Sequence, residues 1–223
     1  MFKRIFEVLQ TELTNIKIRL TEALKSELPG QSAHRQMLPQ GRKLYPAADN
    51  ISIVQSSVLM LLFPVNGHIS TCLIRRPAAM RSHGGQIAFP GGRYETFDED
   101  LLHTALRESF EEIGTDSDQL EIIGALTPLY VQVSNFTINP FIGWSDTMPQ
   151  FKIDNREVDE IFIIPVEKIL HHTTIQTREV TTINGTFEVP GFYIDEFFIW
   201  GATAMIISEF NEVFKPFLII KSP

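Results

Sequence analysis

Apolar positions near the start of the chain recur at steps of three and four: Phe2, Ile5, Phe6, Leu9, Leu13, Ile16, Leu20 and Leu24, with Glu7, Glu12, Lys17 and Arg19 between them. This period predicts an amphipathic helix ending near Pro29-Gly30, and the polar stretch Gln31 to Arg42 reads as a linker. The apolar stripe needs a partner, either the main domain or a second copy of the chain in a homodimer. From Ile51 the period changes. Val54 to Phe63 and His68 to Ile74 are β-rich runs joined through Asn66-Gly67, a strong hairpin signal.

A Gly- and Pro-containing loop, Ser82 to Gly92, precedes a helical pattern of Leu101, Leu102, Ala105, Leu106, Ser109, Phe110 and Ile113. Thr96 to Glu99 reads as a capping box opening that helix, and Gly114 as its C-cap. Strands are expected at Leu120 to Leu126, Thr137 to Trp144 and Glu160 to Ile164. A second hairpin is expected around Asn184-Gly185, and a last helix from Ala202 to Phe214. Short strands with widely separated helices imply an α/β or α+β domain with a mixed sheet covered on both faces. The division is residues 1–45 as a helical arm with linker, and 46–223 as the main domain.

Composition narrows the function. With 19 basic and 27 acidic residues the net charge is −8, and no stretch clusters Lys and Arg as a nucleic-acid backbone requires. No nucleic-acid partner is expected. The longest apolar run, Val58 to Val65, falls far short of the ~20 residues of a membrane helix, so no membrane partner is expected. One cysteine, Cys72, suits a reducing compartment. Neither a signal-peptide pattern at the start nor a peroxisomal address at the end is evident, and a cytoplasmic location is the expectation.

The chemistry is concentrated in Arg107-Glu108-Ser109-Phe110-Glu111-Glu112. Glu108 and Glu112 stand one helical turn apart with Glu111 beside them, so three carboxylates share one stripe. Such a stripe needs a compensating cation, either Arg107 or a divalent metal. Carboxylate oxygens suit Mg²⁺ and Mn²⁺, which bind one or two carboxylates together with substrate phosphates. Phe89-Pro90-Gly91-Gly92 enters the helix through a loop whose glycines let backbone approach a ligand. These residues point to metal-assisted attack of water on a phosphoanhydride.

Gly92, six residues, Glu99, seven residues and Arg107 to Thr115 resemble the Nudix box, G-x5-E-x7-R-E-U-x-E-E-x-G-U. The first interval is one residue longer than the pattern. Asp98 stands where strict counting expects Glu, and the U positions hold Ser109 and Thr115. Upstream, Cys72-Leu-Ile-Arg-Arg76-Pro77, Arg81, Gly85 and Phe89 to Gly92 are similar to the signature of the coenzyme A pyrophosphatase branch, L-L-T-x-R-[SA]-x3-R-x3-G-x3-F-P-G-G. Ile199 to Ala204 looks like that branch's I-W-G-x-T-A segment. The resemblance spans roughly residues 50 to 214 and implies a Nudix-type α/β/α sandwich carrying an extra N-terminal helix.

It also implies roles. Glu108, Glu111 and Glu112 would be metal ligands for Mg²⁺ or Mn²⁺. Glu111, Glu112 and Arg107 would form the catalytic set, with Arg107 holding a box glutamate. Arg76, Arg81, Gly85, Gly91 and Gly92 would bind substrate, the arginines supplying planar forks for phosphate. His83 and Gln86 are further candidates, and Phe136, Phe141 and Trp144 line a substrate channel or belong to the core. Glu112, Glu157 and Glu160 remain open as general base. The implied reaction is cleavage of the diphosphate of coenzyme A or acyl-CoA to 3′,5′-ADP and (acyl-)4′-phosphopantetheine. The alternatives are another nucleoside diphosphate derivative (NADH, ADP-ribose, a dinucleotide polyphosphate) as substrate, or a non-catalytic nucleotide-binding module.

Overall fold

The run Leu59 to Phe63 is wholly buried, because successive side chains of this strand enter two different cores. Leu59, Leu61 and Phe63 face one side, and Met60 and Leu62 the other. A sheet covered on both faces leaves no polar alternation in its central strand. The structure is a computed structural model that describes residues 2–47, 52–78, 84–171, 174–182 and 185–217, the side chains of 2–10 and 171 excepted. Arg81, His83, Ile183 and Asn184, each singled out in the sequence, lie outside the described residues.

In chain order the helices are α1 (Phe2–Leu24), α2 (Gln31–Arg35), α3 (Leu101–Ile113), α4 (Val166–His171) and α5 (Gly201–Phe214). The strands are β1 (Val54–Val65), β2 (His68–Arg75), β3 (Ile87–Ala88), β4 (Gly91–Arg93), β5 (Glu121–Ala125), β6 (Leu129–Val131), β7 (Phe136–Trp144), β8 (Glu160–Pro165), β9 (Gln176–Thr182), β10 (Gly185–Ile194) and β11 (Phe197–Trp200). Among the described residues eight strands form one mixed sheet, with path β3-β2-β1-β7-β5. β1 and β7 run parallel, and the other pairs in this sheet are antiparallel. β11, β10 and β9 make a second, antiparallel sheet.

Asn66 and Gly67 both adopt positive φ, 51° and 83°, as a two-residue turn between twisted strands requires. α3 covers one face of the large sheet over Leu59, Leu61, Phe63, Cys72 and Ile74. α1 and α5 cover the other with Leu20, Leu24, Met205, Ile206 and Phe210. The fold is therefore a mixed α+β sandwich with a sheet between helical layers. Trp144 is core, packed with the α5 side, and Phe141 packs on the α3 side.

Two local expectations are corrected. α3 is not opened by a Thr96–Glu99 capping box: its N-cap is Asp100, whose side chain accepts from the His103 N–H at 2.7 Å. Nor is 31–42 a free linker, since it holds α2 and buries His34 and Met37. The polar residues that suggested a linker are partly satisfied inside. Glu209 of α5, fully buried, accepts from the Gly30 N–H, His34 Nε2, the Thr127 N–H and the Thr127 hydroxyl. No helix among the described residues is long and apolar enough to cross a membrane.

Candidate active site

α3 presents its carboxylates to β4 and to the loop before β8. Glu112 is fully buried, with both oxygens engaged. Its Oε2 accepts the Gly91 N–H at 2.8 Å, and its Oε1 accepts Arg76 Nη1 at 2.9 Å. Burial pushes the Glu112 carboxyl up to about 7, against the pull of Arg76 and the Gly91 N–H. Burial also raises Glu108 above the usual carboxylate range, opposed by Arg107.

Gly92 sits against Glu108 so closely that a Cβ there would be built into the Glu108 carboxylate, and one on Gly91 would meet the Ser57 carbonyl. Gly92 thus gives the Glu108 carboxylate its room, and Gly91 lets β4 lie against β1. Gly85, in left-handed backbone at φ 74°, donates its N–H to the Arg76 carbonyl at 2.9 Å, and the Arg76 N–H donates to the Gln86 carbonyl at 3.1 Å. This ladder fixes the backbone of Arg76 at the mouth of the cluster.

Arg107 uses all five of its N–H groups. Nε and Nη2 fork onto Asp98 at 2.8 and 2.9 Å. Nη1 reaches Glu108 at 2.8 Å and Glu111 at 3.0 Å, and Nη2 also reaches the Arg93 carbonyl. Asp98 is buried, takes further bonds from the Glu95 N–H and the Thr104 hydroxyl, and is held well below the usual carboxylate range chiefly by Arg107. Glu99, the acid taken from the longer spacing, is exposed. The acid behind the box arginine is Asp98, separated from Gly92 by five residues as strict counting requires.

A third carboxylate enters from outside the helix. One ligand oxygen from each of Glu108, Glu112 and Glu157 lies within 4.8 Å of the others. Glu157 is delivered by backbone bonds: Asp154 N–H to the Glu112 carbonyl at 3.0 Å, Lys152 N–H to the Ile113 carbonyl, and Asp159 N–H to the Arg75 carbonyl. Glu160 instead pairs with Arg75 at 2.9 Å. Glu111 has 53% of its side chain exposed and, among the described residues, joins the cluster through Arg107. Three converging carboxylates, one of them buried, fit a hard divalent cation. Behind them, Ser109 and Thr115 at the box's apolar positions are buried and bonded hydroxyl to hydroxyl at 2.8 Å, so each satisfies the other.

Comparison with known proteins gives the family. The family model described as NUDIX domain matches residues 54–183. The uncharacterized Nudix hydrolase NudL of Pectobacterium atrosepticum is 32% identical over 151 residues, covering 67% of this chain and 78% of that one. Nudix hydrolase 3 of Caenorhabditis elegans is 30% identical over 186 residues, covering 74% and 77%. A solved Ap4A hydrolase of Caenorhabditis elegans is a looser likeness, at 17% identity and TM-score 0.46 over 53% of this chain and 84% of that one. With the family's domain matched across more than half its length, the chain belongs to the Nudix hydrolases, enzymes that cleave pyrophosphate linkages.

Proposed function

We propose that this enzyme hydrolyses the diphosphate of coenzyme A or an acyl-CoA, with Mg²⁺ or Mn²⁺, to 3′,5′-ADP and (acyl-)4′-phosphopantetheine. One observation carries the reading. Arg76, from the segment that resembles the coenzyme A branch, touches Glu112 of the box at 2.9 Å, so that segment is part of the same site. In an acidic protein this is local positive charge beside the carboxylates, where a diphosphate must lie.

Glu108, Glu112 and Glu157 would hold the ion, and Glu111 stands outside them through Arg107. A divalent ion bound there would neutralise the diphosphate and acidify the attacking water. Arg107 fixes Glu108 and Glu111. Gly91 orients Glu112, and Gly92 leaves room for Glu108. The second oxygen of Glu157, which offers the other to the ion, would take the proton from the water as the water's oxygen attacks phosphorus and the anhydride bond breaks. Arg76, its backbone held by Gly85, and Arg81 bind the phosphates. The reaction runs in a reducing cytoplasm, where the buried Cys72, its thiol pushed up to about 12 by burial, stays a core residue.

The test is product analysis by liquid chromatography and mass spectrometry, with coenzyme A, NADH, ADP-ribose and diadenosine polyphosphates, each with Mg²⁺ or Mn²⁺. Glu108→Gln and Glu111→Gln run alongside. 3′,5′-ADP and 4′-phosphopantetheine formed from coenzyme A, and lost in Glu108→Gln, support the reading. Preferential cleavage of another substrate removes the coenzyme A assignment and leaves the enzyme class standing.

A further inference from the structure

Two arginines neutralise the carboxylate cluster, and they are held very differently. Arg107 is locked by five hydrogen bonds and backed by the buried Asp98. Arg76 touches the cluster with a single N–H, given to Glu112 Oε1, and its side chain is 21% exposed. Its backbone is pinned by Gln86 and Gly85. The guanidinium can therefore swing on a fixed stem without disturbing the hairpin.

Glu112 has one oxygen to spare for an exchange. Oε2 is held by the Gly91 N–H, on a strand paired to β1, and that bond has no freedom to leave. Oε1 is the oxygen that Arg76 occupies. We propose that Arg76 and a divalent cation are alternative partners of Glu112 Oε1, so that loading the ion releases the Arg76 guanidinium to an anionic substrate and couples the two binding events.

The physical reason is charge on one atom. A hard divalent ion sits about 2.1 Å from a carboxylate oxygen. A guanidinium hydrogen-bonded to that same oxygen would face the ion at contact range, as like charges in a site of low dielectric. The ion carries the larger charge and approaches closer, so it takes the oxygen. Once released, the planar fork of Arg76 matches a phosphate group. Linkage makes the effect reciprocal: an anion that captures Arg76 raises the affinity for the ion.

The inference rests on the reading of Glu108, Glu112 and Glu157 as the ion's ligands, and the experiment separates the two. Mn²⁺ alone is titrated into wild type, Arg76→Gln and Arg76→Lys, with free Mn²⁺ read by electron paramagnetic resonance. Melting temperatures are measured in EDTA and at saturating Mn²⁺. Expected is tighter Mn²⁺ binding by Arg76→Gln, by about 5- to 150-fold, the usual span of coupling between sites. Its melting deficit in EDTA should close at saturating Mn²⁺, because Arg76 has by then left Glu112 in the wild type too. Should Arg76→Gln not fold, Arg76→Lys carries the test: a flexible ammonium that cannot reproduce the fork should bind Mn²⁺ more tightly than wild type, by a smaller factor. Equal Mn²⁺ affinity in all folded variants overturns the exchange and leaves the ligand reading intact, as does weaker binding in Arg76→Gln. Absence of any Mn²⁺ binding by wild type overturns both.

Discussion

The carboxylate of Glu108 occupies the space in which a Cβ on Gly92 would stand. Two elements of different period, a strand and a helix, therefore meet at one atom. Gly92→Ala is expected to push Glu108 off its position while leaving the large sheet paired. A misplacement of about 1 Å at a catalytic group costs on the order of 100-fold in rate. The check is kcat with far-ultraviolet circular dichroism: a folded Gly92→Ala enzyme at wild-type rate would remove Gly92 from the site's construction.

Asp98 and Arg107 supply a stability prediction with a sign. Asp98 is depressed in the folded state, so its contribution is present above its unfolded value, near 4, and is lost as pH falls through that value and below. Asp98→Ala leaves Arg107 without its buried partner and is expected to destabilise by about 3–5 kcal/mol near neutrality. Glu99→Ala, at an exposed position, is expected to change stability by less than about 0.5 kcal/mol. Urea denaturation from pH 3 to 7 checks both, and a wild-type acid slope in Asp98→Asn would contradict the assignment.

Glu112 has the opposite sign. Its carboxyl is raised to about 7, so between the unfolded value near 4.5 and about 7 the folded state holds the proton more strongly. Its contribution to stability is complete below the unfolded value and is lost as pH rises through 7. Burial raises Glu108 in the same direction. Since ligation requires the ionised carboxylate, binding of Mn²⁺ should release about one proton from Glu112 below pH 7 and progressively less above it. Calorimetric titration at pH 6 and pH 8, in buffers of different ionisation enthalpy, reads that number directly. No dependence of proton release on pH would count against Glu112 as a ligand.

Local patterns in the sequence carried most of the fold. Asn66-Gly67, the helical spacing of Leu101 to Ile113 and the strand-like runs 137–144 and 160–164 each depend on neighbours a few residues away, and each formed close to its expected place. β6, three residues long, was too short to register. At the site, what the sequence leaves open is what depends on distant backbone. Glu157 and Glu160 are equivalent on the page of the sequence. The bond from the Asp154 N–H to the Glu112 carbonyl delivers the first to the cluster, while Arg75 takes the second away. Asp98 and Glu99 are likewise adjacent acids, and burial beside Thr104 and Arg107 distinguishes them. Ser109 and Thr115 looked like departures from an apolar rule, and their mutual hydrogen bond is invisible until the C-terminal turn of α3 brings them together.

The polar stretch after α1 read as a linker for the same reason, and it yields the last prediction. His34 and Glu209 are both buried, and Glu209 also accepts from Gly30 and Thr127, tying α2, α5 and the segment after β5 into one knot. Glu209→Ala would leave donors from two segments, Gly30 to His34 and Thr127, without this acceptor. It is expected to destabilise by about 3–5 kcal/mol, the range for removing one partner of a buried pair. Removing residues 1–36 should likewise lower the melting temperature, because it takes Leu20 and Leu24 out of the core they share with α5 and takes Gly30 and His34 out of the knot. Neither change touches the carboxylate cluster, so Mn²⁺ affinity of the protein that remains folded should stay at the wild-type value. Thermal melts and Mn²⁺ titration on the same samples test the pair of claims. A Glu209→Ala protein that melts like wild type would show that the arm is held by the apolar face of α1 alone.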